Sequence, residues 1–230
     1  MADNETLAPL IAIVGADGAG KSRLSEELIA HIGKTRPAEA GYLGEGSSVR
    51  RRQIARWPLI GSALQGMLGR IADRLRDPDA PIPGEIAARY ALHRSKKRHR
   101  RFAELLEKRR RGVVIVTDRY PQIEVPGLHD GPILAGRATS PALARLQTEE
   151  RALYSDMAAH VPTLVIRLQI DVETAMARKP DHDRALIARK VASLMKISFN
   201  NAPIFNLDAT MNYDEELALA IAAVDAALAS

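Results

Sequence analysis

"GADGAGKS", residues 15–22, follows the apolar run "PLIAIV" (9–14) and precedes a stretch in which Leu24, Leu28 and Ile32 recur at helical spacing. The pattern Gly15-x-x-x-x-Gly20-Lys21-Ser22, set between a short strand and a helix, fits a phosphate-binding loop. The glycines permit backbone angles that turn successive N–H groups inward toward an anion. The helix starting near Lys21 adds its positive end. Gly15, Ala16, Asp17, Gly18, Ala19, Gly20, Lys21 and Ser22 therefore form a candidate ATP cradle. Lys21 reaches the β- and γ-phosphates, and the Ser22 hydroxyl ligates Mg²⁺.

Outward from this loop, strands alternate with helices. Short strands are expected at 10–14, in "AGYLG" (40–44), "VVIVTD" (113–118), "PTLVIRLQI" (162–170) and "PIFNLDA" (203–209). "VVIVT" is β-branched and almost wholly apolar, as a central parallel strand covered on both faces should be. Helices are expected at 22–31, 49–76 with interruptions at Pro58 and Gly61, 84–111, 141–159, 171–178, 184–200 and 213–229. Gly112 stands at the C′ position of the longest. "RDPDAPIPG" (76–84) and the Pro- and Gly-rich stretch 121–140 read as loops. The alternation predicts an α/β, three-layer P-loop fold: a parallel sheet of about five strands flanked by helices. All 230 residues read as one domain, with an acceptor-side helical region at about 48–111.

Composition narrows the classes. Hydrophobic residues are 46% of the chain and aromatics only 4%, so the core is built from aliphatic side chains. No apolar run is long enough to span a bilayer, and "MADNETLAPL" lacks the features of a signal peptide. A cytoplasmic location without membrane partners is expected. The absence of cysteine removes disulfides and thiolate metal sites. The net charge of +5 is concentrated in "RRR" (50–52), "RSKKRHRR" (94–101) and "KRRR" (108–111). Such runs suit an anionic ligand or an ordinary solvated helix face.

In parallel α/β sheets, ligands bind at the carboxyl ends of the strands. Asp118 closes "VVIVTD" at such an end, where a carboxylate can hold Mg²⁺ directly or through water. "GADGAGKS", "TDRYP" (117–121) and "ARKPDHDR" (177–184), in this order, resemble the thymidylate kinase family of P-loop nucleoside-monophosphate kinases. Weaker echoes are Tyr90 and Arg94 on the long helix and "LDAT" (207–210) before the last.

The resemblance implies a kinase that moves the γ-phosphoryl group of ATP to a small acceptor, dTMP or another nucleoside monophosphate. It implies that Lys21, Asp118, Arg119, Arg178 and Arg184 are catalytic, the last two from a basic lid at about 178–184. It gives Asp17, Tyr90, Arg94 and Arg119 to the acceptor, and Ser22 and Asp118 to the metal. It also implies a homodimer paired through long helices; the apolar positions at 59–71 suit such a contact or simply the core. The chain departs from the family where an Arg-Glu-Pro-Gly-Gly stretch is usual: here "YLGEGSS" stands. It departs again at Val14, where Glu is usual, and in "QIEVPGLHDGP" after the Asp-Arg-Tyr motif.

A phosphomonoester acceptor needs arginines and no base, whereas a hydroxyl acceptor favours a carboxylate that takes its proton. Asp17 and Glu45 are candidates for that task, and Arg50, Arg51 and Arg52 for reading an acid group on the acceptor. His129 and Asp130 read first as loop residues. The alternatives are a kinase of a sugar, sugar phosphate or other metabolite, and a nucleotide-dependent regulatory protein that binds nucleic acid through 94–111.

Overall fold

A computed structural model of the chain describes residues 7–44 and 61–229. Five strands form one parallel sheet in the order β2-β3-β1-β4-β5: β1 (Leu10–Gly15), β2 (Ala38–Ala40), β3 (Val114–Thr117), β4 (Leu164–Gln169) and β5 (Ile204–Asp208). The helices are α1 (Lys21–Ile32), α2 (Gly61–Arg76), α3 (Glu85–Arg110), α4 (Pro141–Ala159), α5 (Val172–Arg178), α6 (Arg184–Leu194) and α7 (Tyr213–Ala229). This is the α/β architecture that the alternating pattern predicts.

The period of two along β1 decides the layers. Ile11 and Ile13 point into a core with Leu24 and Leu28 of α1 and Ala220 and Val224 of α7. Leu10, Ala12 and Val14 point the other way, onto Phe102 and Leu105 of α3 and Tyr154 and Met157 of α4. A third cluster joins Leu75 of α2, Ala88 and Ala91 of α3, Ile133 and Leu134 of the 121–140 loop, and Leu143 of α4. It carries one wall of the cavity described below.

Two boundaries differ from the sequence expectation. The second strand lies at Ala38–Ala40, not 40–44. It is a short edge strand on β3. A Cβ on Gly41 would stand 2.6 Å from Ile115 Cγ2, and beyond it Leu43 is buried among side chains rather than paired in the ladder. The helix expected over 184–200 stops at Leu194: Lys196 and Ile197 bond back only three residues, to the Ser193 and Leu194 carbonyls, and Phe199, Asn200 and Asn201 then turn left-handed with φ of 51°, 58° and 58°. Glu124 holds this turn through the backbone N–H of Ser198 at 2.7 Å and its hydroxyl at 3.1 Å. Other signals act as read. Gly112 has φ 81°, Ser140 caps α4 by accepting from the Leu143 N–H, and Asp183 caps α6 by accepting from the Leu186 N–H.

Candidate functional site

The sheet order brings the C-terminal ends of β1 and β3 side by side. The glycine loop leaves β1 and enters α1, with Gly18 and Gly20 both at φ 90°, a conformation in which a side chain is strained. Lys21 Nζ donates to the carbonyls of Gly15 and Ala16, both at 2.9 Å. Burial pushes its amine down from the usual lysine range, against the pull of Asp17. From β3, Asp118 receives the Ser22 hydroxyl at 3.2 Å.

A cavity of about 1090 Å³ opens over these groups. Its wall includes Asp17, Lys21, Ser22, Asp118 and Arg119, with Tyr42, Asp73 and Arg76 opposite and His182, Arg189 and Lys190 from the α5–α6 turn and α6. The 121–140 loop closes one side with Leu128, His129, Asp130 and Ile133. Gln122 holds this loop in shape. Its amide donates to the carbonyls of Val125 and Leu128, each at 2.8 Å, and its oxygen accepts from the Val125 N–H at 2.7 Å. His129 and Asp130 are consequently fixed left-handed, with φ of 46° and 62°.

Two carboxylates of the cavity wall, Asp17 and Asp130, are paired with cations. Asp17 is bound to Lys190, which, after the cost of burial, holds its carboxyl below the usual aspartate range. Asp130 Oδ1 accepts from Arg98 at 3.1 Å and from Arg119 at 3.3 Å, and these guanidiniums hold Asp130 ionised although it is buried. Asp130 raises Arg119 in turn. Behind them, Glu150 accepts from the Ser95 hydroxyl and from the N–H groups of Ile133 at 3.2 Å and Leu134 at 2.7 Å.

A second, smaller cavity of about 310 Å³ lies on the other side of the glycine loop, lined by Gly18, Gly20, Arg23, Arg178, Tyr213 and Glu216 among others. Arg178 donates to the carbonyls of Gly18 at 3.3 Å and Ala209 at 2.9 Å. Arg23 stacks on the Tyr213 ring, 3.4 Å from its centroid. Glu216 Oε1 is buried and accepts no hydrogen bond from any described residue.

The structure therefore gathers Asp17, Lys21, Ser22, Asp118 and Arg119 in one cavity and sets Arg178 against the other face of the same loop. It does not bring Tyr90, Arg94 or Arg184 to either. Tyr90 is 63% exposed on the outer face of α3, with Arg94 over its ring at 5.9 Å. Arg184 turns to Glu173 on the exposed side of α5. Glu45 and Arg50–Arg52 lie outside the described residues. The basic run 94–111 does not form one continuous charged face: Arg98 and Arg109 are buried, and Lys96 and Lys108 pair with Glu149 and Glu39.

Sequence reasoning missed Arg98, Arg189 and Lys190, and gave Asp130 only a loop role. The signal for Arg98 was present: Ala91, Ser95, Arg98, Phe102 and Leu105 recur at helical spacing and all are buried. The oxygen pair Ser22 and Asp118 suits a hard divalent cation that keeps waters and takes its remaining ligands from phosphate. No helix among the described residues is long and apolar enough to cross a membrane.

No protein-family model matches the chain. Two proteins of Escherichia coli strain K12 are similar over nearly the whole length. The "uncharacterized ATP-binding protein YghS" is 39% identical over 227 residues, 98% of this chain and 96% of its own. The "uncharacterized ATP-binding protein YghR" is 37% identical over 230 residues, 96% of this chain and 91% of its own. Among solved structures, that of deoxyadenosine kinase from M. mycoides with bound dATP aligns at a TM-score of 0.48 with 16% identity, over 94% of this chain and 99% of that one.

Proposed function

The chain belongs to the family of the ATP-binding proteins YghS and YghR, and from that premise we propose that it is an ATP-dependent kinase that moves the γ-phosphoryl group of ATP to a small acceptor. The observation that carries this reading is the convergence of Lys21, Ser22, Asp118 and Arg119 on the wall of a cavity of about 1090 Å³ that also reaches Asp130. A protein that only bound nucleotide would have no need of the further walled space around Asp130.

In this reading the loop amides and Lys21 bind the β- and γ-phosphates. The two carbonyls that now take Lys21 Nζ are traded for phosphate oxygens. Ser22 and Asp118 hold Mg²⁺, which neutralises phosphate charge when bound. The donor base lies in the smaller cavity, where the planar guanidinium of Arg178 can cover it and the unpartnered Glu216 oxygen can accept from an exocyclic amine. This departs from the resemblance, which gives Arg178 to the transferring phosphoryl group: its bonds to the Gly18 and Ala209 carbonyls set it at the smaller cavity instead.

The acceptor lies between Arg119, Asp130 and Tyr42. Its oxygen forms a bond to the γ-phosphorus as the bond to the leaving ADP oxygen breaks. ADP keeps the electron pair, and any acceptor proton passes to a wall carboxylate and then to solvent. Arg119, Arg189 and Lys190 offset the charge that spreads over the γ-oxygens, and the basic α5–α6 segment excludes water when it closes.

The test is ADP release from Mg-ATP with a panel of nucleosides, nucleoside monophosphates, sugars and sugar phosphates, each beside a Lys21→Ala control. Acceptor-dependent turnover that disappears in the control is expected. Wild-type turnover by Lys21→Ala defeats the assignment of the loop.

A further inference from the structure

Two adjacent residues outside any glycine, His129 and Asp130, are held left-handed at the cavity wall. Backbone strain of this kind persists where the surroundings over-determine it, and it clusters at binding sites. The surroundings here are extensive. Gln122 fixes the loop from inside. His129 Nε2 meets the carbonyl of Lys190 at 2.8 Å. The Asp130 carbonyl accepts from Arg98 Nη1 at 3.3 Å, and the same nitrogen donates to the Tyr154 hydroxyl at 3.0 Å.

The outcome is a carboxylate with one oxygen committed and one presented. Oδ1 takes both guanidiniums, while Oδ2 accepts from none of the described residues. The Arg98 side chain is only 5% exposed, and it is pinned by Tyr154 and the Asp130 backbone, so it cannot swing away to serve a ligand. Asp130 therefore holds, with its own oxygen, the place on Arg98 and Arg119 that an acceptor phosphate would need. A second anion brought there meets a fixed like charge. A hydroxyl or N–H meets an ionised acceptor in a site largely withdrawn from water.

We propose that Asp130 is the acceptor-reading residue of this site: Oδ2 takes a hydrogen bond from a hydroxyl or N–H of an acceptor that carries no phosphate at that end, and Arg98 is its positioning residue. The proposal rests on the kinase reading above and deepens it to a substrate class. It sets the chain apart from kinases that bind a phosphomonoester acceptor on free arginines.

The experiment uses the full chain and acceptor pairs that differ only by a phosphate, thymidine with dTMP and each sugar with its phosphate, at saturating Mg-ATP. The wild type is expected to favour the unphosphorylated member of any pair it uses by about ten-fold or more in kcat/KM. Asp130→Asn keeps the shape and tolerates the left-handed backbone. It is expected to raise the KM for that acceptor by about ten-fold, to leave the KM for ATP within about two-fold, and to narrow or reverse the preference against phosphate. Asp130→Glu should restore part of the preference. Preference for the phosphorylated member by the wild type, or an unchanged acceptor KM in Asp130→Asn, overturns the proposal. Lys21-dependent ATP binding without turnover of either member also overturns it and leaves the phosphate loop standing. Loss of ATP binding itself counts against the kinase reading instead.

Discussion

Ser22 donates its hydroxyl to Asp118 across 3.2 Å, although 96 positions separate them in the chain. The contact follows from topology: β1 and β3 are parallel neighbours, and each ends on one of the two residues' loops. Both side chains are oxygen donors at the edge of the phosphate loop. Ser22→Ala and Asp118→Asn should each raise the Mg²⁺ concentration for half-maximal ADP release by about 10–100-fold. Neither should change the melting temperature appreciably, since both residues are at least partly exposed. The readout is an Mg²⁺ titration at fixed ATP. A response identical to wild type in both variants removes the pair from the metal.

His129 supplies a pH dependence. Burial lowers its pKa from 6.5; the hydrogen bond to the Lys190 carbonyl is the main opposing influence, and the charges of Lys190, Asp130 and Lys21 follow with mixed sign. The imidazole is thus neutral in the fold, with Nε2–H donating to the Lys190 carbonyl. The unfolded chain takes its proton first on acidification. Stability contributed by the neutral ring is present above 6.5 and is lost as the pH falls below it. His129→Asn keeps a residue that accepts positive φ and removes the titration. As the pH falls below 6.5 the wild type should lose stability faster than this variant in chemical denaturation. Parallel losses would show that the ring charges equally easily in the fold.

The loop that presents His129 and Asp130 depends on two small structural choices. Gln122→Leu leaves the Val125 N–H without an acceptor and takes one of two donors from each of the Val125 and Leu128 carbonyls, at a cost of about 1–3 kcal/mol. Gly127 has φ 80°, and a Cβ there would stand 2.1 Å from the Arg76 carbonyl oxygen. Gly127→Ala must displace either the loop or the end of α2, and should destabilise by at least about 1–3 kcal/mol. In both variants the acceptor KM should rise more than the ATP KM, because the loop walls only the larger cavity. Equal rises would mean that the loop supports the donor end as well.

The phosphate loop was legible because its chemistry is backbone chemistry: glycines at fixed spacing, a strand before and a helix after. Asp118 was legible because a lone acid ends an otherwise apolar strand. Arg98 was not, since inside "RSKKRHRR" it looks like its solvated neighbours, and only its register with Ala91 and Phe102 separates it from them. Tyr90 and Arg94 share a helix face, but that face is the outer one. The role of Asp130 depends on Arg98, Arg119 and Tyr154, which come from three separate segments, and no local pattern announces such a meeting.

The basic segment around α5 and α6 offers the sharpest contrast between neighbours in sequence. Arg184, the lid arginine expected from the motif "DHDR", is the first residue of α6, and the Asp183 cap and Glu173 draw it to the outside. Lys190, nearly two turns further on, points inward and pairs with Asp17 of the phosphate loop, both side chains being about three-quarters buried. Lys190→Ala should therefore lower kcat by about 10–100-fold, by removing a cation beside the transferring group. It should also free Asp17, whose depressed pKa reports the pair. The stability that Asp17 contributes is present above its ordinary value of 3.8 and is lost as the pH falls through its lower folded value, so this acid limb should weaken in the variant. Arg184→Ala should change kcat by less than about two-fold, because an exposed ion pair contributes little. Single-turnover rates at saturating ATP and acceptor compare the two directly. A large loss in Arg184→Ala with none in Lys190→Ala would mean that α6 rotates on binding, exchanging Glu173 for the γ-phosphate as the partner of Arg184.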